Sequence, residues 1–308
     1  MEEVACLLCG ARVYRVRYWG HDRLHQVPGK FHVVECLLCG FWYLSPRPDK
    51  DEIGRYYPAE YLPFRPSLHE EKSLLRRQER LYGLHRRCKV VRQRVPEGHL
   101  LDIGCGTGDF LAVMATYPGW TVEGLEPHAA AAQRAREQYG LTITQDDLND
   151  KVFPNETFDA VTMWDVLEHV PRPLDTLRTI RRVLRPGGHV IIGLPNRDSI
   201  DARLFGQYWA GLDVPRHFSV FNGPNITTAL AQSGFARPTT RNLNGGFHSF
   251  ALSVRFWLSS KDLSEWQRRM VLASLYSLPF RLTTLSYFSL LKTMRLGSTM
   301  VVAAERLA

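Results

Sequence analysis

Four cysteines are the first residues in this chain whose spacing suits chemistry. Cys6-Leu7-Leu8-Cys9-Gly10 and Cys36-Leu37-Leu38-Cys39-Gly40 are nearly one pentapeptide written twice. Two residues between cysteines let a single tight turn aim both thiolates at one centre. The glycine after each pair permits the positive-φ turn that frees backbone N–H groups to face the sulfurs. Four such ligands with no position left open describe a structural Zn²⁺ site. Four buried apolar cysteines are the alternative, and paired spacing with paired glycines weighs against it. Cys88 and Cys105 have no partner at ligand spacing.

The second chemical stretch is Leu100-Leu101-Asp102-Ile103-Gly104-Cys105-Gly106-Thr107-Gly108-Asp109. An apolar strand runs into a loop whose glycines, lacking Cβ atoms, let backbone lie against a ligand at the carboxyl edge of a sheet. A dinucleotide fingerprint would place its third Gly or Ala where Asp109 stands. A carboxylate there opposes a pyrophosphate and suits a cationic ligand. No Gly-Lys-Ser/Thr follows, so the loop is not a P-loop. Glu126, 22 residues after Gly104, is placed past the next strand to accept both ribose hydroxyls. Asp147 follows the third strand, where a carboxylate can accept from an adenine amino group.

The elements that must hold these residues alternate. Strands are expected at residues 100–103, 121–125, 141–144, 160–164 and 189–194, and helices at 109–117, 128–139 and 173–184. That order predicts an α/β fold with a doubly wound, Rossmann-like parallel sheet. Residues 237–242 and 297–304 read as a sixth strand and an antiparallel last strand. The division expected is a zinc-ribbon-like module over 1–48, a linker and basic amphipathic helix over 49–97, a core over 98–246 and 297–308, and a helical insertion over 247–296. The helix spans about 68–94 and stops at Pro96. The module is expected to be separable from the core.

With 308 residues, 44% hydrophobic and 23% charged, the chain is neither disordered nor a fibrous repeat. Its formal charge of +8 is uneven. Residues 65–94 carry ten Lys/Arg against three acids, and 247–297 carry seven against two. The opening Met1-Glu2-Glu3 offers no basic, apolar leader, so a cytoplasmic protein is expected. Uncharged runs at 270–280 and 282–291 fall short of the roughly 20 residues that span a bilayer. Flanked by Arg and Lys, they suit either a lid over an apolar acceptor or a hairpin on an anionic membrane surface. In the second case Leu275, Leu278, Phe280 and Phe288 dip beneath the headgroups.

The glycine loop resembles motif I of class I S-adenosylmethionine-dependent methyltransferases. Phe158-Asp159-Ala160-Val161, Trp164-Asp165-Val166-Leu167-Glu168-His169-Val170, Leu184-Arg185-Pro186-Gly187-Gly188 and Leu194-Pro195-Asn196 are similar to later segments of that family, over residues 98–245. The resemblance implies that Asp102 and the loop of Gly104, Cys105, Gly106 and Gly108 hold the amino-acid portion of S-adenosylmethionine. Glu126 would then hold the ribose and Asp147 the adenine, with Asp165 in the same binding set. The core is nearest in style to the ubiquinone-pathway O-methyltransferases. The cysteine pairs resemble the zinc-binding leader of some sugar and natural-product methyltransferases.

Methyl transfer from a sulfonium mainly needs alignment in a dry site, and a hydroxyl acceptor adds a general base near neutral pKa. His169 and His217 are the candidates, since both stand where the acceptor should lie. The leading expectation is methylation at oxygen of a small-molecule, sugar or lipid-linked acceptor. One rival is an RNA methyltransferase whose basic helix grips phosphates; it is disfavoured because that helix carries a single aromatic, Tyr82. The other is a non-catalytic cofactor-binding scaffold.

Overall fold

The computed structural model describes residues 1–58, 67–242 and 246–307. Three antiparallel strands, β1 (Tyr14–Gly20), β2 (Phe31–Cys36) and β3 (Trp42–Leu44), open the chain. Helix α1 (Leu74–Arg92) follows, begun by the Ser73 hydroxyl, which accepts the Arg76 N–H. It is shorter than expected at its start, and its amphipathic character is slight. Leu74 and Leu75 stand in solvent and only Cys88 and Val91 are fully buried.

Then come β4 (Gly98–Ile103), α2 (Asp109–Met114), β5 (Trp120–Leu125), α3 (Ala129–Tyr139), β6 (Thr142–Thr144), β7 (Phe158–Trp164), α4 (Pro173–Val183) and β8 (Leu184–Pro195). The Arg185-Pro186-Gly187-Gly188 segment lies inside β8 rather than before it. Helix α5 (Ile200–Phe205), the short β9 (Ser219–Val220), α6 (Gly223–Gln232) and β10 (Phe235–Arg241) complete the core chain. Three helices, α7 (Phe247–Ser259), α8 (Glu265–Tyr276) and α9 (Leu278–Thr293), precede the last strand, β11 (Thr299–Arg306).

Seven strands form one sheet in the order β10-β11-β8-β7-β4-β5-β6. Strands β4 to β8 pair in parallel, and β11 runs antiparallel between β8 and β10. Side chains alternate across a strand, so each sends neighbours to opposite layers. Leu101, Val161, Met163 and Ile192 join the core beneath α4 and α6, whereas Leu100, Ala160 and Ile191 join the one beneath α1, α2 and α3.

The N-terminal strands are not set apart from this core. Strand β9 extends their sheet to the order β1-β2-β3-β9. Val34, Phe41 and Tyr43 share one apolar cluster with Met163, Phe221 and Ile226. Phe31, Val33 and Leu44 share another with Trp209, Phe218 and Leu258 of α7.

The insertion departs from the membrane expectation in one respect. Leu275 and Phe288 are buried against the chain itself and Phe280 is half-buried, so these side chains do not project outward. The Leu278 side chain lies outside the described residues. Phe288 packs edge-on against Phe247 and Phe250 of α7, which turns α9 inward. Trp266, Met270, Leu282, Leu290 and Met294 are among the large apolar side chains that α8, α9 and the turn after them expose. Among the described residues no helix is long and apolar enough to cross a membrane.

Candidate active site

At the carboxyl edge of the parallel strands, the loop after β4 forms one wall of a long cleft. Gly104, Gly106 and Gly108 all have positive φ. At Gly104 a Cβ would strike Val166, so close packing demands the glycine. At Gly106 a Cβ would meet nothing within 4 Å, which leaves bare backbone open to a ligand. Gly108 caps α2, and the Cys105 thiol is turned inward, where burial raises its pKa.

Glu126, at the end of β5, fastens this loop. Its two carboxylate oxygens accept the Gly106 N–H at 2.8 Å and the His128 N–H at 2.9 Å. Burial raises its pKa, and those two N–H groups oppose the rise. A carboxylate has lone pairs beyond these two bonds, so ribose hydroxyls still find acceptors on it.

Asp147 stands exposed on the cleft rim beside Asp146. Asp165 is exposed on the opposite side with φ +59°, and its carboxylate pairs with Arg87 at 3.2 Å. Left-handed backbone at a non-glycine strand end is strain of the kind found at binding sites. Arg87 also lies 4.9 Å from the Trp164 ring centre, and among the described residues the buried Trp164 Nε1 has no hydrogen-bond partner. An orphaned donor, open glycine backbone and a run of carboxylates fit a cationic nucleoside such as S-adenosylmethionine.

Asp102 differs from the expectation. It is 3% exposed, does not line the cleft, and accepts the Thr162 hydroxyl at 2.6 Å. Burial pushes its pKa up to about 7, although the Thr162 bond opposes this. Asp102 thus acts from behind the loop. Asp109, expected to face a cationic ligand, is instead neutralised by Arg80 and accepts the Tyr139 hydroxyl.

Farther along the same cleft, His169 and His217 meet edge to face with ring centres 4.5 Å apart. His169 Nδ1 lies 3.1 Å from the Arg216 carbonyl and 3.1 Å from the Tyr57 hydroxyl. His217 Nδ1 lies 2.9 Å from the Gly211 carbonyl. A carbonyl only accepts, so both Nδ1 atoms carry the proton and both Nε2 atoms keep a lone pair. Burial and the neighbouring His217 push His169 down to about 3, and burial also lowers His217 against the pull of Asp213. Both rings are therefore neutral at pH 7, and His169 is a weaker base than the sequence reading called for.

The loop that carries His217 is held by Arg216. Its guanidinium contacts both Asp213 and Asp22. Burial acts to raise the Asp22 and Asp213 carboxyls, and Arg216, joined by the Leu24 and His25 N–H groups at Asp22 and by the two histidines at Asp213, more than reverses it. Sequence reasoning missed Arg216, Asp22 and Tyr57, and gave Glu168 no role. Nothing in their local spacing marks them.

The four N-terminal cysteines come together as expected. Their sulfurs lie within 4.8 Å of one another, with Cys6–Cys39 and Cys9–Cys36 at 3.5 Å. Tetrahedral Zn–S bonds of about 2.3 Å place sulfurs about 3.8 Å apart, so the set fits zinc. Gly10 and Gly40, both at positive φ, close the two turns by donating N–H to the Cys6 and Cys36 carbonyls.

A methyltransferase domain model matches residues 75–237, more than half of the chain. The ubiquinone biosynthesis O-methyltransferase of Vibrio parahaemolyticus is 40% identical over 105 residues, covering 32% of this chain and 44% of that one. Its counterpart from Alkalilimnicola ehrlichii is 39% identical over 107 residues, covering 32% and 42%. The chain thus spans less than half the length of these curated relatives. Among solved structures, a complex of the Haloferax volcanii Trm112 methyltransferase activator with a methyltransferase matches with a TM-score of 0.50 at 16% identity, covering 75% of this chain and 92% of that one. That likeness shows the fold alone.

Proposed function

The chain belongs to the methyltransferase domain family, and on that premise we propose that it transfers a methyl group from S-adenosylmethionine to an oxygen of a small-molecule or lipid-linked acceptor. The observation that carries this reading is the imidazole pair, His169 and His217, on the same cleft as the open Gly106 backbone and Glu126. The named relatives act on oxygen, which supports the choice of atom.

In this reading S-adenosylmethionine brings a methyl already activated on a sulfonium. The protein's part is to align it and exclude water. Glu126 accepts the ribose hydroxyls, Asp147 meets the adenine, and Gly104–Gly108 backbone receives the amino-acid portion. The acceptor hydroxyl would sit against the Nε2 lone pairs of His169 and His217, with its proton passing to His217 as the oxygen bonds to carbon. The electrons of the broken carbon–sulfur bond stay on sulfur. Cys6, Cys9, Cys36 and Cys39 hold one structural Zn²⁺, away from the chemistry.

The RNA alternative loses some support because α1 spends part of its charge within the molecule. Arg80 pairs with Asp109, Arg87 with Asp165, and Arg92 lies over the Tyr117 ring. The test is label transfer from methyl-labelled S-adenosylmethionine into fractionated small-molecule, lipid and RNA pools. Label in small molecules or lipids, released as an ether-linked methyl, is expected. Label confined to RNA, or cofactor binding with no transfer to any pool, overturns the reading.

A further inference from the structure

A second pocket, of about 310 Å³, opens where the N-terminal sheet meets the segment from Arg197 to Leu212. That volume stands at the low end for small-molecule sites. The pocket shares no lining residue with the cleft. Three guanidiniums line it, those of Arg17 on β1, Arg197 before α5 and Arg203 on α5, and no carboxylate does. Like charges gathered in one recess repel one another, so their convergence suits an anion. Nearby acids compensate them only in part. Glu35 accepts from Arg15 at 2.7 Å and stands 3.5 Å from Arg17, while Asp198 stands 3.9 Å from Arg197. Arg203 is exposed and makes no ion pair among the described residues.

Two of the three cations are held in place. Arg17 and Arg197 lie 5.0 and 4.8 Å from the Trp42 ring centre, and Arg197 donates to the Gly40 carbonyl at 2.7 Å. Burial acts against the Arg197 charge, and an anion beside a cation already drawn out of water is held more strongly. The rest of the wall is ring and hydrocarbon, from Tyr18, Trp209, Ala202 and Leu212. Trp209 is 2% exposed, and its Nε1 has no hydrogen-bond partner among the described residues. A buried donor left unpaired is unusual, and a bound acceptor would satisfy it.

We propose that this pocket binds a small phosphate ester with an aromatic or apolar body. A phosphate dianion presents oxygens to forks from more than one arginine, whereas the two oxygens of a carboxylate match a single fork. The body covers Tyr18 and Leu212 and takes apolar surface out of water. The pocket backs onto the loop that presents His217. A Cβ at Gly211 would strike the Trp209 ring, and the Gly211 carbonyl holds His217 Nδ1. Binding there does not depend on the transferase reading.

The experiment titrates the full chain, carrying its zinc, with phenyl phosphate in a calorimeter. Phenol, benzoate and phosphatidate vesicles are the other arms. One phenyl phosphate per chain is expected, bound about tenfold or more tightly than phenol or benzoate, and equally well with S-adenosylmethionine present. Arg17→Gln and Arg203→Gln should each weaken it about tenfold, through the loss of a hydrogen bond to a charged group. If either variant proves unfolded by circular dichroism, the wild-type chain decides by NMR. Phenyl phosphate should then shift the Trp209 indole N–H signal, identified by its loss in Trp209→Phe, to a saturating value. Absence of saturable phenyl phosphate binding, equal affinity for phenol or benzoate, or affinity untouched by both arginine substitutions overturns the proposal. So does binding to phosphatidate vesicles alone, competition by S-adenosylmethionine, or a Trp209 signal that does not move.

Discussion

The guanidinium of Arg216 lies 2.8 Å from the carboxylate of Asp22, 194 residues earlier, and neither side chain reaches solvent. The same guanidinium holds Asp213 at 2.6 Å and donates to the Tyr56 carbonyl at 3.0 Å. One side chain thereby joins the N-terminal sheet, the segment before α1 and the loop that presents His217. Removing one partner of a buried ion pair leaves an uncompensated charge, at a cost of about 3–5 kcal/mol. Arg216→Met should lower stability by that amount in urea unfolding. A change below about 1 kcal/mol would show that the network contributes nothing net.

Asp102 gives a pH dependence of definite sign. Its folded pKa of about 7 lies above the unfolded value of 3.8. Stability from that difference is complete below 3.8, and is lost as pH rises towards 7. Asp102→Asn keeps an acceptor for the Thr162 hydroxyl and carries no charge. Its melting temperature should equal that of wild type near pH 4 and exceed it by a growing margin up to pH 7. A margin that stays constant across this range would refute the buried, raised carboxyl.

Glu126 is tested through the cofactor. Glu126→Ala removes the acceptor for ribose and frees the Gly106 N–H, so S-adenosylmethionine affinity should fall by about 1.5–3 kcal/mol in calorimetric titration. Glu126→Gln retains one acceptor oxygen and should fall between. Unchanged affinity in a folded alanine variant removes the ribose assignment.

For the cysteines, metal analysis should find one zinc per chain, lost in Cys36→Ser. Because Cys36 sits in the same apolar cluster as Met163 and Phe221, the loss should lower a single unfolding transition of the whole chain. Two separated transitions, with the cofactor-binding one unmoved, would establish the independent module that the sequence suggested.

Helices α8 and α9 expose Trp266, Met270, Leu282 and Leu290 and also carry the cations Arg268, Arg269 and Lys292. Each basic residue near an anionic surface adds about 1 kcal/mol. The protein should sediment with anionic vesicles, release as salt rises, and bind less when these three cations become Gln. Equal binding to neutral vesicles, or none to either, would leave the insertion as a lid over the cleft.

The amino-acid sequence by itself determined whatever depends on neighbours a few residues apart. Alternating apolar runs defined the parallel strands, because side chains of a strand face opposite layers with period two. The Cys-x-x-Cys-Gly turns and the glycines after β4 were legible because their geometry is local. Glu126 was legible because the end of a strand fixes where its next acid stands. Tertiary structure decided the rest. It put Asp102 behind the loop, since Thr162 reaches it across two paired strands. It turned Leu275 and Phe288 inward, since α7 offers them an apolar face. It converted His169 and His217 from isolated candidates into a pair beside the buried Glu168, on a loop held by an ion pair spanning 194 residues. Such contacts are set by how the layers close on one another, and no spacing along the chain encodes that closure.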